Sequence, residues 1–118
     1  MSGGRIAIDL STIEDLADGD PQVIAELIAM FVRHTGDAIA QVRAAVEAAD
    51  FAQTARVAHT CIGFTASLGI SDLVPTLREL ERASKAGHRE DVARCLARWE
   101  CEFEQARRAL EHRIKAGS

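Results

Sequence analysis

His59 is the residue whose type and setting could do chemistry, because a neutral imidazole nitrogen is a nucleophile near neutral pH. Projected at about 100° per residue, the segment 51–68 puts Phe51, Thr54, Ala58, Cys61, Thr65 and Leu68 on one side of a helix. Ile62 lies near the margin of that stripe and His59 beside it. Arg56, Thr60, Gly63 and Ser67 fall on the opposite, solvent-facing side, so Gly63 lies one turn after His59 and close to the same face. A histidine is thus presented to solvent next to bare backbone. Glycine inside a helix costs about 1 kcal/mol relative to alanine, and Gly63 is neither a cap nor an end, so close approach by another molecule would account for it. Taken alone, such a histidine is more often an ordinary surface residue, and such a glycine a place where a neighbouring helix packs tightly.

The other chemistry-bearing residues have plainer readings. His34, His88 and His112 fall on different segments, without the i, i+4 pairing of a helical metal site. Cys61, Cys95 and Cys101 are an odd number with no C-x-x-C pair, which fits reduced thiols better than a disulfide framework or zinc. Trp99 and Phe103 read as core. Arg107, Arg108, Arg113 and Lys115 suit a helix C-terminus and alternate with Glu104 and Glu111. There is no phosphate-binding glycine loop, paired-carboxylate site or nucleophile elbow, so catalysis independent of a partner has no support.

Fourteen Lys and Arg against 18 Asp and Glu give a formal charge of −4, which offers no field to attract nucleic acid or anionic lipid. The longest stretch without Asp, Glu, Lys or Arg, Val57 to Ser71, holds His59, further hydroxyl residues and two glycines and cannot span a bilayer. Met1 to Arg5 lacks the apolar core of a signal peptide, and a cytoplasmic location is expected. The 118 residues, 47% hydrophobic and 27% charged, suit a single soluble domain with an ordered core of about 9–116.

The elements that must position His59 are helical nearly throughout. Ser11 with Glu14 has a capping-box spacing and opens a short helix with Ile13 and Leu16, broken at Ala17-Asp-Gly19. Asp20 before Pro21 caps a long helix carrying Ile24, Leu27, Ile28, Phe31, Ile39, Val42 and Val46, weakened at Gly36. A third runs from about Asp50 to Leu68 and ends at Gly69. Ser71 or Asp72 starts a fourth, with Leu73, Leu77, Leu80 and Ser84 inward, Pro75 in its first turn and Gly87 as its stop. Val92, Leu96, Trp99, Phe103, Ala106 and Leu110 make the seam of the last. An all-α antiparallel four-helix bundle follows, with the short N-terminal helix capping one end.

The run Ala58-His59-Thr60-Cys61-Ile62-Gly63-Phe64-Thr65-Ala66-Ser67-Leu68-Gly69 resembles the signature of histidine-containing phosphotransfer (HPt) domains, A-H-x-x-K-G-x-x-x-x-L-G, at every marked position except the lysine. Gly19-Asp20 before a helix with Leu27, Ile28 and Phe31, then Ala49-Asp50, Leu80-Glu81 and Lys85-Ala86-Gly87, extends the likeness over nearly the whole chain. The resemblance implies a carrier that relays phosphoryl groups between receiver domains of response regulators or hybrid histidine kinases. His59 would be the phosphorylated residue, and the chain a phosphohistidine intermediate rather than an independent enzyme. It would need no cofactor and no metal of its own, the Mg²⁺, acidic pocket and lysine being the receiver's. Gly63 would admit the receiver's loops, and a monomer is expected. Ile62 stands where the family usually has a lysine able to steady the phosphoryl group. Lys85 and Arg56 are candidate substitutes. The alternatives are a degenerate module that binds receivers without stable phosphorylation, or an unrelated helical adaptor. The presence of His59 argues against the first, since docking alone has no chemical need of it.

Overall fold

A computed structural model describes residues 8–117, with side chains for 8–114. Met1 to Arg5 and the Lys115 side chain therefore lie outside the described residues. Five helices follow one another: α1 (Ser11–Leu16), α2 (Pro21–Glu47), α3 (Phe51–Ser67), α4 (Val74–Ala86) and α5 (Arg89–Gly117). Among the described residues there is no strand. Among the described residues, no helix is long and apolar enough to cross a membrane.

The residues that start α2 and α3 and that end α3 and α4 are those the sequence points to. Asp20 accepts from the Gln22 N–H at 2.9 Å and Pro21 follows it at the first helical position. Asp50 accepts from the Gln53 N–H at 3.0 Å, so the helix carrying His59 begins with an oriented acceptor. Gly69 and Gly87 adopt left-handed backbone, φ +77° and +72°, where a side chain would be strained. α2 continues unbroken through Gly36.

Three local expectations are corrected. Ser11 is not the N-cap of α1; its N–H donates instead to Asp9 Oδ1 at 2.9 Å, and the N-cap position belongs to Leu10, which is buried in the core. Leu16 is 59% exposed, the only large hydrophobic residue so exposed among those described. The fourth helix starts at Val74 rather than at Ser71 or Asp72. Residues Ser71–Leu73 form a 3₁₀ turn, which leaves Pro75 in the first turn of α4, where its missing N–H costs nothing.

α2, α3, α4 and α5 pack as a four-membered ring of neighbours, joined by short connections that make successive helices antiparallel. One core cluster, with Val42, Ala58, Leu77, Leu80, Val92 and Trp99, fills the half of the bundle behind His59. A second, with Ile13, Ile28, Phe31, Leu73 and Leu110, fills the end covered by α1, and Phe103 packs against both. A Cβ at Gly69 would lie 2.5 Å from Thr12 Oγ1, so α1 rests directly on the corner where α3 ends. The chain is thus an all-α antiparallel bundle with a short helix capping one end.

Candidate functional site

α3 is oriented by its apolar stripe. Thr54, Ala58, Cys61, Thr65 and Leu68 are buried, which turns Arg56, His59, Thr60, Gly63 and Ser67 to solvent. The His59 side chain is 75% exposed. It stands at the edge of α3 that faces α4, the helix on which α3 packs most extensively.

Glu81, on α4 and 22 residues further along the chain, meets it there. His59 Nδ1 lies 3.1 Å from Glu81 Oε2, and the Lys85 ammonium lies 3.0 Å from the same oxygen. An ionised carboxylate only accepts hydrogen bonds, so Nδ1–H is the donor. The ring is thereby held in the tautomer whose Nε2 lone pair is free and directed away from Glu81. The Lys85 hydrogen bond, with a further contribution from His59, holds the Glu81 carboxyl below its ordinary range, against the opposing effect of partial burial. The acceptor is therefore ionised at neutral pH.

His59, Glu81, Lys85, Arg56 and Thr60 line one shallow hollow of about 460 Å³, floored by Ala52 and Ala55. Arg56 and Thr60 also form the ridge to a second hollow of about 380 Å³ between α2 and α3, lined by His34, Ala38, Val57, Cys61 and Phe64 among others. In that second hollow the His34 ring tilts on Phe64 at 5.3 Å. Apolar surface thus borders the histidine on its α2 side.

Of the five residues singled out from sequence, three surround one hollow: His59, Arg56 and Lys85. Lys85 is engaged by Glu81, whereas Arg56 donates from Nε to the neutral Gln53 Oε1 at 3.1 Å. Gly63 is exposed one turn beyond His59, and a Cβ built there meets nothing within 4 Å. Internal helix packing therefore does not require this glycine. Ile62 is half-buried against the core cluster behind His59 and lines neither hollow. Glu81 was missed as a site residue. Its sequence signals are its place in the Leu80-Glu81 fragment of the resemblance and a carboxylate one helical turn before Lys85, a spacing shared by many solvated pairs.

No group of three or more His, Cys, Asp or Glu among the described residues could hold a metal ion. Cys61, Cys95 and Cys101 are free thiols, and burial pushes Cys61 up to about 11. Arg107 pairs with Glu104 and Glu111, Arg108 with Glu104, and Arg113 reaches Glu14 of α1 at 3.9 Å. Those cations are matched locally and form no basic face.

The sequence model of the Hpt domain matches residues 26–110. Among curated proteins compared by sequence, none matches. The crystal structure of histidine-containing phosphotransfer protein B from Pseudomonas aeruginosa PAO1 superposes with a TM-score of 0.83 at 20% identity, covering 92% of this chain and 95% of that one. At that identity the likeness is one of fold.

Proposed function

The chain belongs to the Hpt domain family, whose members act in histidine phosphotransfer within phosphorelays and interact with receiver domains, and from that premise we propose that His59 is its phosphoryl-carrying residue. The observation that supports this most directly is the Nδ1–Glu81 hydrogen bond at 3.1 Å, which in the neutral imidazole selects the tautomer with its lone pair on Nε2, on a 75% exposed ring. Nε2 attacks the phosphorus of a receiver's aspartyl phosphate in line. The N–P bond forms as the P–O bond to the aspartate breaks, and the aspartate leaves as carboxylate. In the onward step an acceptor aspartate takes the phosphoryl group and the electron pair returns to Nε2. The Mg²⁺ belongs to the receiver, and this domain supplies nucleophile and docking face.

Two features of the surface fit that docking. The apolar hollow on the α2 side of the ridge gives a receiver something to bury, and Gly63 leaves the backbone open to close approach. In this reading the chain is a cytoplasmic, monomeric carrier working between receivers of response regulators or hybrid histidine kinases. The test is to mix it with phosphorylated receivers and look for acid-labile phosphate. Wild type is expected to be labelled, and His59→Gln to be unlabelled with unchanged helicity and melting, since an exposed side chain contributes little stability. Equal labelling of the variant would sink the assignment.

A further inference from the structure

Glu81 is charged, although a neutral amide of the same shape could accept the same N–H. The charge matters once the ring carries phosphate. With the phosphoryl group on Nε2 and the proton still on Nδ1, the ring is a cation, and the leaving group of the onward step is a neutral imidazole. The N–P bond breaks, its electron pair returns to Nε2, and the proton never moves. If Nδ1 has lost its proton, the same step must expel an imidazolate anion, a far poorer leaving group, and the phosphoramidate is inert.

A carboxylate 3.1 Å from Nδ1 favours the protonated ring both as acceptor and as charge. The Lys85 ammonium at 3.0 Å from the same oxygen offsets part of that charge. The other charged group in the hollow is Arg56, a cation on the ring's own helix, and no described residue of α1, α2 or α5 lines it. Glu81 is thus the one anion among the described residues that line the hollow.

We infer that Glu81 is a positioning residue that acts by its charge: it keeps the proton on Nδ1 of phosphorylated His59, so the phosphoryl group stays transferable at pH values where an unassisted phosphohistidine turns inert. Lys85 tempers the effect. This rests on the carrier reading of His59.

The experiment loads the whole chain with phosphate using phosphoramidate as a small-molecule donor and follows phosphate release against pH. In Glu81→Gln, which keeps a hydrogen-bond acceptor without the charge, the pH at which release falls to half its maximum drops by about half a pH unit, the scale expected of an exposed charge pair. In Lys85→Met it rises. A Glu81→Gln profile that superimposes on wild type overturns the inference. The unphosphorylated protein gives an independent reading, because ring nitrogen chemical shifts above the histidine range report which nitrogen holds the proton. Wild type is expected to be Nδ1–H, and an Nε2–H ring overturns the inference as well. If His59 takes no phosphate at all, the carrier reading falls and this inference with it, an outcome told apart by missing label rather than an unshifted profile.

Discussion

Replacing Gly63 separates the two reasons a helix can contain a glycine. In Gly63→Ala the new methyl group enters open space, since nothing lies within 4 Å of the Cβ position, so no clash offsets the gain in helix propensity. That gain is about 0.8–1 kcal/mol. Unfolding entropy of about 2.1 cal/mol/K per residue gives roughly 0.25 kcal/mol/K for 118 residues. The melting temperature is therefore expected to rise by about 3–4 °C, read by far-ultraviolet circular dichroism. Gly36→Ala, equally open inside α2 and lining neither hollow, serves as the control and should rise similarly without touching transfer. Gly63→Gln should keep most of the stability gain. Its side chain must then fit under a docked receiver, where overpacking costs about 1–3 kcal/mol, so receiver affinity is expected to fall about fivefold or more. A fall in the melting temperature of Gly63→Ala would refute the open-surface argument. Wild-type transfer by Gly63→Gln would refute the docking face.

Ile62→Lys is expected to lower stability by about 1 kcal/mol, half the value of a fully buried isoleucine, without collapse, because the lysine stem can cover the same apolar surface. It should also lengthen the lifetime of phosphorylated His59 and weaken receiver binding; phosphohistidine decay at fixed pH and receiver titration check both. Alkylation of the native protein at about pH 8 should modify exposed Cys101 first and reach Cys61 and Cys95 only on unfolding, because burial removes access and holds both thiols protonated. Rapid native labelling of Cys61 would contradict its burial. The Glu81 carboxyl is held low chiefly by Lys85, so its contribution to stability is present above the ordinary carboxylate range and is lost as the pH falls through its lowered value. Denaturant midpoints compared at neutral and acid pH should therefore differ less in Glu81→Gln than in wild type.

The orientation of α3 was legible because burial on one helix is periodic: the projected stripe of Thr54, Ala58, Cys61 and Thr65 is the buried one, and His59 stands beside it. Asp20, Asp50, Gly69 and Gly87 were legible because capping depends on a few neighbouring residues. At Ser11 the same reasoning failed. Leu10 is drawn into the second core cluster, and Asp9 meets the Ser11 N–H from one residue further back. The start of the fourth helix was misplaced because Ser71 and Asp72 are good helix openers locally, while the chain bends through a 3₁₀ turn that buries Leu73. Glu81 could not be read from the sequence, since its meeting with His59 depends on how α3 and α4 align across 22 residues.

The exposure of His59, where it lines the shallow hollow, bears on how a phosphoryl group carried there would be read. The ring is 75% exposed, and its hydrogen-bond partner Glu81 is half-buried at the edge of α4. A phosphoryl group of nearly two negative charges added there would alter the local potential of a chain that already carries −4, while leaving Val42, Leu77, Trp99 and the rest of the packing as they were. On the carrier reading, the loaded and empty molecules then differ in charge at this site rather than in core packing. On that reading a partner senses the state by touching the phosphate itself, and the signal lasts as long as one N–P bond.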